Sequence, residues 1–208
     1  METVVWSKPE GQRSGTPLLV MMHGYGTDES RMVRLFEYLP PEFTFAALRA
    51  PMPIGDHWGW FLLDYFLAND FADVISAANS VRAWISSVRD QHSSVTLLGY
   101  SQGMAMATTL LRQRPTDFAA VVGLSGFVVD AAGDPTFKDD ELDGTVPMFW
   151  GRDQQDPVIT QDKIEFTMGW VRKHVKLTKV LYTGMWHGIN QQEIGHVGEF
   201  LTHEVLNK

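Results

Sequence analysis

Three short segments of the chain carry residue types that together can perform acyl transfer. Ser101 sits in Gly99-Tyr100-Ser101-Gln102-Gly103, directly after the apolar run Val95–Leu98 and before the helical stretch Met104–Arg112. A serine hydroxyl is a poor nucleophile until a base removes its proton. His187, in Gly184-Met185-Trp186-His187-Gly188, can accept that proton near neutral pH and later return it to a leaving group. The imidazole in turn needs an ionised carboxylate to fix its tautomer and stabilise the imidazolium. Asp153 and Asp156 both lie in Gly151–Pro157, just past the apolar run Val146–Trp150, and either could serve. The other histidines, His23, His57, His92, His174, His196 and His203, lack the Gly-x-x-His-Gly setting at a strand end. None shows the His-Glu-x-x-His spacing of a zinc hydrolase, so no metal ligand set and no cofactor is expected.

A fourth segment supplies what the chemistry needs next, a place for developing negative charge. Leu18–Met22 leads into His23-Gly24-Tyr25-Gly26. Glycines there let the backbone approach a substrate, and its N–H groups can stabilise an oxyanion. The expected donors are the N–H groups of Tyr25 and of Gln102, the residue after the nucleophile. His23 precedes Ser101 in the chain and is read as structural.

These residues must be carried by elements that bring them to one rim. Apolar runs at Leu18–Met22, Phe43–Leu48, Val95–Leu98, Ala119–Leu124, Val146–Trp150 and Leu177–Tyr182 read as strands buried on both faces, as in a parallel sheet. Between them, Phe71, Val74, Ile75, Ala78, Val81, Ile85 and Val88 form one helical stripe. Further helices are expected from Ser101 or Gln102 to Arg114, stopped by Pro115, over Thr160–His174, and over Gln191–Leu206. The last should face Ile194, Val197, Leu201 and Val205 inward. Strand and helix alternating with short connections imply an α/β fold with helices on both faces of a mostly parallel sheet. Gly-x-Ser-x-Gly between a strand and a helix is then a sharp turn that presents serine beside the positive end of a helix. Ala50–Asn69 shows neither period and is long for a loop, which suggests a functional one. Its Met52, Trp58, Trp60, Phe61 and Phe66 offer an apolar wall for the acyl or alcohol part of a substrate.

The bulk numbers exclude other classes. With 208 residues, 44% hydrophobic and 20% charged, the chain fits one globular domain over residues 1–208. A net charge of −8 argues against nucleic acid or an anionic membrane surface as partner. The absence of cysteine removes thiolate catalysis, disulfides and cysteine-based metal sites, and fits the cytoplasm. No signal peptide is visible, and Leu18–Met22 is far too short to insert in a membrane.

Taken together, Met22-His23-Gly24-Tyr25-Gly26, Trp60-Phe61, Gly99-Tyr100-Ser101-Gln102-Gly103, Leu124-Ser125-Gly126, Asp156-Pro157-Val158-Ile159 and His187-Gly188 resemble the phospholipase/carboxylesterase family of α/β-hydrolases, which includes acyl-protein thioesterases. The resemblance implies a compact α/β-hydrolase fold without a separate cap domain. It implies Asp156 as the acid, because the family's acid opens an Asp-Pro-x-Val-like segment, and an oxyanion hole at Tyr25 and Gln102. The chain departs from the pattern in two places. Met104 stands where the family usually has a further glycine after the elbow, and Gly151–Asp156 is about two residues longer than the usual Gly-x-x-Asp. The implied substrates are small-molecule esters or thioesters. Simple carboxylic esters rank first, ahead of acyl-protein thioesters and lysophospholipids. A non-catalytic ligand-binding member of the fold should have lost one of the three catalytic residue types, and none is missing here.

Overall fold

A computed structural model describes residues 1–64, 70–131 and 133–207. Its centre is a seven-stranded sheet in the order β1-β3-β2-β6-β7-β8-β9. The strands are β1 (Val4–Trp6), β2 (Leu18–Met22), β3 (Thr44–Leu48), β6 (Val95–Tyr100), β7 (Ala120–Leu124), β8 (Pro147–Asp153) and β9 (Lys176–Tyr182). A separate hairpin pairs β4 (Met52–Ile54) with β5 (His57–Gly59). Every pairing in the main sheet is parallel except β1 with β3.

The strands form where the apolar runs predict because alternate residues feed two cores. Leu18, Val20 and Met22 of β2 enter one cluster, and Leu19 and Met21 enter the other. The first cluster is covered by α2 (Ala72–Val88), α3 (Gln102–Gln113) and α4 (Gln161–His174), through residues such as Val74, Val81, Leu110 and Trp170. The second is covered by the short α1 (Ser30–Val33) and by α5 (Gln191–Leu201), through Met32, Ile194, Val197 and Leu201. Fully burying side chains of this size contributes roughly 1.5–3 kcal/mol each. A one-residue slip of β2 would exchange its two faces and mismatch both.

Three features differ from the sequence expectation. β1 and the β4–β5 hairpin are too short, at three residues each, to show a period. β8 also runs past its apolar stretch to Asp153, because Arg152 and Asp153 are buried despite their polarity. The C-terminal helix gives way to a π-helical turn at Thr202–Leu206. No helix among the described residues is long and apolar enough to cross a membrane.

This topology decides where a site can form. β2 neighbours both β3 and β6, so the chain adds β3 on one side of β2 and then crosses to add β6 on the other. Open parallel sheets bind ligands in the crevice at such a switch point, beyond the carboxyl ends of the strands. The segments after β2 and β6 are His23–Gly26 and Ser101.

Candidate active site

Ser101 occupies the turn between β6 and α3 with φ 54° and ψ −117°. A non-glycine residue in this left-handed region is held there by its surroundings. The Ser101 N–H donates to the Leu124 carbonyl at 2.8 Å, and its own carbonyl accepts from Met104 N–H at 2.9 Å. The turn is crowded. A Cβ on Gly99 would lie 2.0 Å from the Gly103 carbonyl oxygen, and one on Gly103 would lie 2.0 Å from that of Met22. Both positions therefore require glycine, which is the physical content of Gly-x-Ser-x-Gly. Met104 is buried, and its thioether fills the space over Gly123, where a Cβ would come within 2.5 Å of the sulfur. The bulk this chain adds after the elbow is thus matched by a glycine on β7.

The structure brings the three distant segments together. His187 Nε2 is 2.9 Å from Ser101 Oγ, and His187 Nδ1 is 2.9 Å from Asp156 Oδ2. The Asp156 side chain is fully buried. Its Oδ1 accepts the N–H groups of Val158 and Ile159 at 2.8 and 3.2 Å, so the turn that follows fixes the carboxylate and leaves Oδ2 to the imidazole. With the ring proton on Nδ1, Nε2 is free to accept from the serine hydroxyl. The His187 carbonyl accepts from the Tyr100 hydroxyl at 2.9 Å, and the Gly188 carbonyl from Ser125 Oγ at 2.8 Å. Tyr100 and Ser125 were not anticipated in these roles. Both belong to segments that carry the family resemblance, and each lies at or just past a strand end beside the elbow.

The reading that set Asp153 and Asp156 on one loop needs correction. Asp153 ends β8 and is 1% exposed. Its carboxylate accepts backbone N–H groups from Gln155, Met185 and Trp186, and these bonds hold it below the usual carboxylate range. The carboxylate that meets the imidazole is that of Asp156.

The segment expected to bind an oxyanion lies against the nucleophile. A Cβ on Gly24 would be 3.0 Å from the Tyr100 ring and 3.2 Å from Ser101 Cβ. The N–H groups of Tyr25 and Gln102 have no acceptor among the described residues. His23 is structural here. It is fully buried, its Nδ1–H donates to the Gly24 carbonyl at 2.7 Å, and its Nε2 accepts from Ala50 N–H at 3.0 Å. Burial lowers its basicity and keeps the ring neutral.

The expected apolar wall divides. Trp60 and Phe61 are core residues, 1% and 0% exposed. Their backbone is clasped by Gln102, whose Oε1 accepts from Trp60 N–H at 2.8 Å and whose Nε2 donates to the Phe61 carbonyl at 2.7 Å. Met52 and Trp58 are half-buried on the hairpin. The Trp58 ring faces the Arg49 guanidinium, in a cavity shared with Ala50, Pro51 and Ser80. Phe66 lies outside the described residues. Leu62 and Leu63, which follow the clasped segment, are exposed.

Beneath the site, Glu193 of α5 is completely buried, and its carboxyl has no hydrogen-bond partner among the described residues. It fills the space beside Gly151, where a Cβ would meet its Oε1 at 2.1 Å. Burial pushes this carboxyl up to about 8. The unfolded chain loses that proton near pH 4.5, whereas the folded protein keeps it to about pH 8. Stability should therefore fall as pH rises between these values. Glu193→Gln should flatten that dependence and stabilise the protein at pH 8 by on the order of a few kcal/mol. Thermal melts of both forms at pH 5 and pH 8 test this; parallel pH dependence would reject it.

Comparison with known proteins adds a family and a set of shapes. The family model described as phospholipase/carboxylesterase matches residues 7–205. A curated relative, acyl-protein thioesterase 1 of Kluyveromyces lactis, is 24% identical over 206 residues, covering 89% of this chain and 90% of its own. Among solved structures, esterase PE8 superposes with a TM-score of 0.78 at 23% identity, covering 92% of this chain and 94% of that one. A phospholipase/carboxylesterase from Dyadobacter fermentans superposes with a TM-score of 0.76 at 17% identity, over 94% of each chain.

Proposed function

Since the chain belongs to the phospholipase/carboxylesterase family and is a serine hydrolase, we propose that it is a carboxylesterase acting on small to medium acyl esters through an acyl-enzyme on Ser101, within a single domain spanning residues 1–208. The observation that carries this reading is the continuous relay of 2.9 Å contacts from Ser101 Oγ through His187 to Asp156.

The steps follow from the geometry. His187 Nε2 takes the proton of Ser101 Oγ as that oxygen attacks the ester carbonyl. The carbonyl π pair moves onto oxygen, and the N–H groups of Tyr25 and Gln102 stabilise the resulting oxyanion. Each such donor is typically worth roughly 2.7–4 kcal/mol. Collapse of this intermediate breaks the carbon–oxygen bond to the alcohol, which leaves with the proton from Nε2. Water then attacks the acyl-enzyme by the same route, releasing the acid and restoring the serine. The Asp156 carboxylate holds the ring through Nδ1 and stabilises the imidazolium.

The acyl-protein thioesterase relative supports a second reading, in which the leaving group is a thiol. A series of nitrophenyl esters and matched thioesters of increasing acyl length separates the two. The expected result is turnover of short to medium esters, abolished by a fluorophosphonate that labels Ser101. A thioester preference at every chain length would favour the second reading, and absence of both labelling and turnover would reject the enzyme assignment.

A further inference from the structure

We propose that Asp153 is a positioning residue that clamps the loop bearing the acid to the loop bearing the base. The inference rests on the reading of Ser101, His187 and Asp156 given above and assigns a role to a carboxylate which that mechanism leaves idle.

Asp153 is the last residue of β8, and its side chain divides its two oxygens between two loops. Oδ1 accepts the Gln155 N–H at 2.7 Å, one residue before Asp156. Oδ2 accepts the N–H groups of both Met185 and Trp186, the latter at 2.9 Å and directly before His187. Two successive backbone N–H groups converging on one oxygen form an anion-binding concavity. Trp186 adopts φ +57° and leaves its side chain 58% exposed. That conformation is strained for a bulky residue, and the Trp186 N–H is held in it by the buried carboxylate. The clamp also holds the short connection between the end of β8 at Asp153 and Asp156.

The base loop has independent anchors on its other side. The His187 and Gly188 carbonyls accept from Tyr100 and Ser125, and β8 and β9 remain paired along their length. Truncating Asp153 therefore leaves the fold and the following carbonyl contacts in place. It frees the N–H groups of Met185 and Trp186 and lets the imidazole drift relative to Asp156. Misplacement of a catalytic group by about 1 Å costs on the order of 100-fold in rate.

The test is a double-mutant cycle read by steady-state kinetics on a nitrophenyl ester, with folding checked by thermal melts and fluorophosphonate labelling as a control. Asp153→Ala should lower kcat by roughly 10- to 100-fold with KM within about twofold. Asp153→Asn keeps one acceptor oxygen and should recover part of the loss. In an Asp156→Asn background, Asp153→Ala should cost less than about threefold more, because the pair it serves is already broken. An unchanged kcat, or the same fold-loss in both backgrounds, overturns the clamp. If Asp153→Ala does not fold, Asp153→Asn in the same cycle decides the matter. A wild-type protein that fluorophosphonate fails to label would instead remove the underlying assignment of Ser101.

Discussion

Ser101→Ala should lower kcat for a nitrophenyl ester by about 10⁴-fold or more while leaving the melting temperature within a few degrees. The size of the loss follows from what the hydroxyl does. Without Oγ no acyl-enzyme forms, and His187 can at best activate water directly. What survives is the contribution of the oxyanion donors and of binding, typically 10³–10⁴ over the uncatalysed reaction. The fold should tolerate the change, because among the described residues the side chain bonds only to His187, and the backbone bonds to Leu124 and Met104 do not involve it. Alanine meets the same left-handed strain as serine at this position, so no new backbone cost arises. Retention of more than about 1% of wild-type kcat would reject Ser101 as nucleophile, since removing such a group costs far more than 100-fold.

Asp156→Asn should lower kcat by about 10³- to 10⁴-fold, a far larger loss than Asp153→Asn produces. The amide is nearly isosteric with the carboxylate and can keep the turn bonds to Val158 and Ile159. It can, however, present an N–H to His187 Nδ1. The ring then carries its proton on Nε2 and cannot take one from Ser101. The charge that stabilises the imidazolium is lost as well. Side-by-side kinetics of the two variants check this. Equal losses, or a larger loss in Asp153→Asn, would transfer the acid role to Asp153.

Much of the site was legible because its chemistry restricts residue type. The elbow tolerates only glycine at 99 and 103, so Ser101 stands out, and His187 and Tyr25 follow from strand ends that apolar runs mark clearly. Asp156 was legible only through the family resemblance, since polarity alone does not separate it from Asp153. The distinguishing fact is that β8 continues through Arg152 and Asp153, which are 7% and 1% exposed. A strand boundary read from hydrophobicity ends at Trp150 and places both aspartates in the same loop. The apolar wall was legible as composition but not as direction. Trp60 and Phe61 point into the core because Gln102 holds their backbone, a long-range contact that no local pattern reports. The β4–β5 hairpin is invisible for a related reason. Pro53 and Gly55 argue against strand locally, and the antiparallel pairing of Met52 with Gly59 prevails.

Every residue of α3, from Gln102 to Gln113, is buried, including Arg112, which pairs with Asp139 at 2.7 Å. Dissolved ions therefore have little access along the length of this helix, and the screening that weakens peptide fields at surface helices is largely absent. The field it delivers at residue 101 behaves as a permanent fixture of the interior. Ionic strength can tune how a charged substrate reaches the crevice, but it has little purchase on the bond-breaking event itself.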